Sequence, residues 1–163
     1  MPFPPLHVLV PVALGFDEDP MSAELLVEAA CDIAHLDATL HLVFVHSAMT
    51  PMIGFDVGLA PAAYYQSLAD IEEREHEHAT KQLHQLAARV GTRGRHALAE
   101  VIGPLDGVGE SIIDAATRHH ADLIVLWSHG RRGLKRLFLG SVAERVAHLA
   151  PMSVLILRGP SPG

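Results

Sequence analysis

One stretch near the carboxyl-terminal end holds residues whose types and spacing suit the binding of an anion. It opens as Trp127-Ser128-His129-Gly130, runs through nine residues, and closes on Gly140-Ser141-Val142. Gly130 lets the backbone turn without a Cβ clash, and Gly140 lets a ligand come close to the chain. Ser141 with Glu144 three positions on reads as a capping box, which predicts a helix from about Ser141. The first turn of a helix offers unpaired N–H groups and the positive end of a dipole, and both suit phosphate. Four of the 12 lysines and arginines, Arg131, Arg132, Lys135 and Arg136, lie between the two glycines. On a chain of net charge −7 that concentration is a local anion attractor. A plain loop before a capped helix has the same features, and spacing alone leaves both readings open.

The elements that must position this segment are legible along the chain. Five apolar runs alternate with helical patterns: His7–Val12, Thr39–Val45, His96–Ile102, Asp122–Trp127 and Met152–Leu157. Thr39–Val45 is nearly continuous in apolar character, as a strand covered on both faces should be. His96–Ile102 is less apolar and reads as nearer an edge. Asp19-Pro20 marks a helix start, and Met21, Leu25, Ala29, Ile33 and Leu36 recur at spacings of three or four as one apolar face. A long helix follows with Leu68, Ile71, Ala79, Leu83, Leu86 and Val90 on one side, stopped at Gly91 to Gly94. A further helix is predicted over Glu110–His119. Ser47 to Pro61 is the only long irregular stretch, a length that is usually functional or mobile. The alternation predicts an α/β fold: an open, doubly wound parallel sheet with right-handed crossovers and helices on both faces. In such sheets ligands bind beyond the carboxyl ends of the strands, where the strand order reverses.

Composition narrows the classes. The 163 residues, 49% hydrophobic and 19% charged, suit one globular domain over 1–163, with tails at 1–6 and 159–163. The negative net charge argues against nucleic acid or an anionic membrane as a partner. No apolar run approaches the roughly 20 residues that a membrane span needs. The single cysteine, Cys31, allows no intrachain disulfide and suits a reducing compartment, so a cytoplasmic location is expected. Its place within the first helix reads as a buried structural thiol. The 12 histidines match no zinc spacing. His76, His78 and His84 read as solvated on the long helix, and His119-His120 as residues at a helix end that suit the dipole.

The run Ala121 to Leu126 through Ser128-His129-Gly130-Arg131-Arg132-Gly133-Leu134-Lys135-Arg136, then Gly140-Ser141-Val142-Ala143-Glu144-Arg145-Val146, resembles the signature of the universal stress protein family. Ala150-Pro151-Met152-Ser153-Val154-Leu155-Ile156 is similar to that signature's ending, and Val8 to Val12 and Leu40 to Val45 also resemble the family. The resemblance covers nearly the whole chain. It implies a five-stranded parallel sheet of order 3-2-1-4-5 and a homodimer formed through the last strand, here Val154, Leu155, Ile156 and Leu157. It further implies a stress-response or signalling module, one branch of which binds ATP. In that branch the end of the first strand, here Pro11, Val12 and Ala13, and the position of Val45 hold adenine and ribose. The positions of Ser128, His129 and Gly130, and of Gly140, Ser141 and Val142, hold the phosphates; Arg131 beside them is a further candidate ligand residue, and magnesium a candidate companion of ATP. No catalytic residue is implied, and no general base is identifiable, so enzymatic action is at most weak hydrolysis of ATP.

Two positions depart from the family pattern. Trp127 stands where the signature has its first glycine, and Ala13 where an aspartate usually follows the first strand. An indole brings well over about 100 Å² of surface to that place. It either stacks on a base or fills the pocket, and the alternative to nucleotide binding is an interaction dimer of the same fold.

Overall fold

Each of the five predicted runs forms a strand, and the four helical patterns form helices between them. The computed structural model describes residues 4–14, 20–46, 62–103, 106–128 and 140–158. Their order is β1 (His7–Pro11), α1 (Pro20–Ile33), β2 (Thr39–Val45), α2 (Ala62–Thr92), β3 (His96–Ile102), α3 (Val108–Arg118), β4 (Leu123–Ser128), α4 (Ser141–Leu149) and β5 (Ser153–Arg158). All strand pairs are parallel, in the order β3-β2-β1-β4-β5, so β1 is central and β3 lies at an edge, as its lower apolar content suggests. Pro20, whose missing N–H costs nothing at a helix start, opens α1. Held contacts begin ahead of β1: the Leu6 and His7 amides donate to Asp122 Oδ2 at 3.0 Å each, tying the chain to the foot of β4.

Alternation along each strand sorts side chains into two cores. Val8, Val10, Leu40, Leu42 and Val125 face α1 and α2. Leu9, Val43, Ile124 and Leu126 face α3 and α4. Burying one such Leu, Ile or Val side chain is worth about 1.5–3 kcal/mol. These residues carry no functional groups and set the plane from which the strand ends project.

Two helix faces differ from those that periodicity predicts. On α1 the buried stripe is Ala23, Leu26, Val27, Ala30 and Cys31, continued by Ala34, while Met21 is 57% and Leu36 74% exposed. The sequence Ala-Glu-Leu-Leu-Val-Glu-Ala-Ala-Cys is apolar around more than half the helix, so two stripes satisfy the period and contact with the sheet selects one. On α2, Ala79, Leu83, Leu86 and Val90 are buried as predicted, but Ile71 is exposed. A helix of 31 residues spans about 46 Å and a strand of seven about 23 Å, so the first half of α2 outruns the sheet that covers the second. Ion pairs Arg89–Glu24 and Arg93–Glu28 join α2 and the turn that follows it to α1 over the shared core.

Candidate functional site

The connection after β1 leads to β2 on one side, and β4 lies on the other side of β1. The chain therefore diverges at the carboxyl ends of β1 and β4, and such a reversal leaves a crevice. A cavity of about 360 Å³ occupies it, within the range of small-molecule sites. Pro11, Val12 and Ala13 line it from the end of β1, and Phe44 and Val45 from the end of β2. Trp127 closes it on the β4 side, and Gly140, Ser141 and Val142 bring the start of α4 to it. Eight of the twelve candidate ligand residues thus share one wall. Ser128 ends β4 opposite Arg158 and is not part of that wall. His129, Gly130 and Arg131, with Arg132, Lys135 and Arg136, lie outside the described residues, as does the Ser47 to Pro61 stretch.

The start of α4 differs from the sequence reading in one respect. The cap position is Gly140, not Ser141, and the Glu144 amide donates to the Gly140 carbonyl at 2.9 Å. Ser141 is already the first helical residue, so its side chain does not serve as the cap and the capping box is not formed. Gly140 has φ 70° and ψ 145°, a combination open to glycine and strained for other residues. That conformation turns the chain into the helix while adding no side chain beside the cavity. The leading amides of α4 have no partner within the helix. Beside them, Gly109 of α3 packs so closely that a Cβ there would lie 2.9 Å from Arg145 Cγ. Arg145 Nε donates to Glu110 Oε1 at 2.6 Å, linking the first turn of α3 to α4. The carboxyl of Glu110 is held below its ordinary range first by its own backbone amide, then by Arg145.

Trp127 does not fill the cavity. Its Nε1–H donates to the Ser22 carbonyl at 2.7 Å, and its ring packs against the core on the α1 side. The indole is a fixed wall pinned to the first turn of α1, with open volume beside it. Ala13 is exposed at the rim. Leu26 of α1 and Val108 and Ile112 of α3 also line the cavity. Sequence reading missed them, because as apolar helix residues they carry no chemical signature. Their placement just after β1 and β3 was the only available signal.

A second group of polar residues gathers on the α3 side of the sheet, around His41 in the middle of β2. His41 of β2 is 6% exposed, and neither ring nitrogen has a hydrogen-bond partner among the described residues. It stacks on His119 with centroids 4.4 Å apart and meets His7 at 5.8 Å. His119 Nε2 is 2.6 Å from Glu100 Oε2, and Arg118 Nη1 donates to Glu100 Oε1 at 3.1 Å. Burial first, then His119 and His7, pull the pKa of His41 down to about 4. Burial opposes the charged form of Glu100, but the bonds from His119 and Arg118 outweigh it and leave its pKa below normal. Cys31 is buried, and that burial raises its pKa against the opposing charges of Arg95 and Arg93, as suits a structural thiol. Among the described residues no group of three or more His, Cys, Asp or Glu is placed to hold a metal ion. No helix among them is long and apolar enough to cross a membrane.

A central β1, a reversal of strand order beside it, and a cavity walled by strand ends and a helix start define a doubly wound α/β protein with a ligand-type crevice. The chain belongs to the universal stress protein family, whose profile matches residues 7–158. Universal stress protein A homolog 2 of Coxiella burnetii is 32% identical over 152 residues, covering 93% of each chain. Universal stress protein UspA from Lactobacillus plantarum superposes with a TM-score of 0.68 at 25% identity, over 93% of this chain and 97% of that one. A universal stress protein family protein from Arabidopsis thaliana, solved with AMP bound, superposes with a TM-score of 0.61 at 17% identity. That match covers 96% of this chain and 94% of that one, and is a likeness of fold alone.

Proposed function

We propose that this chain is an adenine-nucleotide-binding stress-response module, with ATP, accompanied by magnesium, as its ligand. One observation carries the reading: the ends of β1 and β2, the indole of Trp127 and the amide end of α4 line a single cavity. An apolar wall with an aromatic face suits a purine, and unpaired helix amides suit the phosphates. The AMP bound by the Arabidopsis protein of this fold supports the same class of ligand. Ribose is left without the aspartate that commonly follows the first strand in this family, since Ala13 stands there and has no acceptor. Calorimetric titration with ATP and AMP, with and without magnesium, tests the reading. Saturable binding below millimolar concentration is expected for the wild-type protein. No heat at millimolar nucleotide overturns the proposal and leaves the interaction dimer without a nucleotide.

Within this reading Trp127 is the aromatic wall against which the base rests. Stacking of a base on an aromatic side chain is worth about 1–3 kcal/mol. Trp127→Gly is therefore expected to weaken ATP binding roughly tenfold or more. An unchanged or tighter affinity removes the stacking role.

The same family reading makes the protein a homodimer through β5. Val154, Leu155, Ile156 and Leu157 are all only half-buried, and β5 is the outer strand on its side of the sheet. An apolar outer strand invites pairing with a second copy. Leu155→Asp is expected to give folded monomers by light scattering, with circular dichroism confirming retained structure. A persisting dimer places the interface elsewhere.

A further inference from the structure

An imidazole buried in a strand without a single hydrogen bond is an expensive choice. The neighbours of His41 along β2 are Leu40, Leu42 and Val43, all fully buried, and an apolar side chain at 41 would incur no such penalty. Each unsatisfied buried polar group is destabilising, because folding strips it of water and returns no hydrogen bond. The neutral ring tolerates this because it stacks on His119. A protonated ring cannot, for it would carry two donors with no acceptor and a charge pressed against two further imidazoles. The charged and titratable groups around it are few. β1 contributes His7, whose backbone is held by Asp122. β3 contributes Glu100. The end of α3 contributes His119 and, behind it, Arg118, which also binds Asp114. Among the described residues Glu100 is the acid whose charge acts on the ring, and its two oxygens already serve His119 and Arg118.

We infer that the His7–His41–His119 imidazole column is a proton sensor, in which acidification releases the carboxyl-terminal turn of α3 from the sheet. The cover over His41 is that turn, where His119 is the capping residue and His120 has φ 51°. A residue other than glycine is strained in the left-handed region, so the turn is the weak side of the enclosure. The body of α3 stays anchored by Ile112, Ala115 and Ala116. Lifting the turn breaks three backbone bonds, from the amides of His119, His120 and Ala121 to Ala115, Thr117 and Ala116, and lets the charged ring reach water.

Amide hydrogen exchange, corrected for intrinsic rates, reads those three bonds directly. A ring that titrates near 6.5 when released and about 4 when enclosed makes opening roughly thirtyfold more frequent at pH 5 than at pH 7.5. Protection of amides 119–121 is expected to fall by that factor, with little change in β1, and His41→Phe is expected to remove the response. Equal protection at the two pH values overturns the inference, as does a loss spread evenly over the chain or one that survives in His41→Phe. Should that variant fail to fold, proton NMR of the wild-type protein decides. The ring signals of His41 must shift with the same midpoint as amides 119–121, and separate midpoints overturn the inference.

Discussion

Acidifying the protein from about pH 7 to pH 4 is expected to remove about 3 kcal/mol of its stability through His41 alone. In the unfolded chain this imidazole takes up a proton near its ordinary value of 6.5, whereas in the fold it resists protonation down to about 4. Between those values the unfolded state binds more protons than the folded one, so stability falls as pH falls. Above 6.5 the contribution is fully present, and below 4 nothing further is lost through this residue. Glu100, whose pKa lies below normal, acts in the same direction but at the acidic end of the range. Urea denaturation at half-unit pH steps measures the slope in the wild-type protein and in His41→Phe. The variant is expected to keep a nearly constant unfolding free energy from pH 6.5 to 5. Parallel curves for the two proteins would show that the acid sensitivity comes from elsewhere in the chain.

Gly140→Ala is the second large effect, and it acts on stability and ligand together. At φ 70° and ψ 145° an alanine is strained, at a cost of about 1–3 kcal/mol. The chain can relieve that strain only by changing the entry into α4, which turns the leading amides away from the cavity. Charge-assisted hydrogen bonds are worth about 1.5–3 kcal/mol each, so losing one lowers affinity for a phosphate-bearing ligand about tenfold to a hundredfold. Chemical denaturation and calorimetric titration of the same preparation separate the two consequences. A loss of stability with undiminished affinity would confine Gly140 to the fold. No change in either would mean that the backbone adopts another conformation at this position.

The strands and their partners were legible in the sequence because buried parallel strands leave continuous apolar runs. Thr39–Val45 and His96–Ile102 are observed with the predicted bounds. The strand order came from the family signature and agrees with the observed pairing. Helix faces were less legible wherever apolar residues surround the helix, as at Leu25 and Leu26, since only the sheet decides which side is buried. The candidate site was legible where it depends on backbone, at Gly140 and the start of α4, and at the ends of β1 and β2. The role of Ser141 was misread because a serine followed three residues later by glutamate marks a helix start without saying which residue caps it. His41 escaped notice for a different reason. Its surroundings are assembled from β1, β3 and the end of α3, elements far apart in sequence, and nothing local to Leu40-His41-Leu42 announces them.

The chain contains a single tryptophan, and its indole N–H is bound to the Ser22 carbonyl beside the cavity. All indole fluorescence of the protein therefore arises at that one wall. An occupant that displaces water there, or a movement of the first turn of α1, must register in the emission, without any label being attached. The protein thus carries its own optical gauge of whether the crevice is filled.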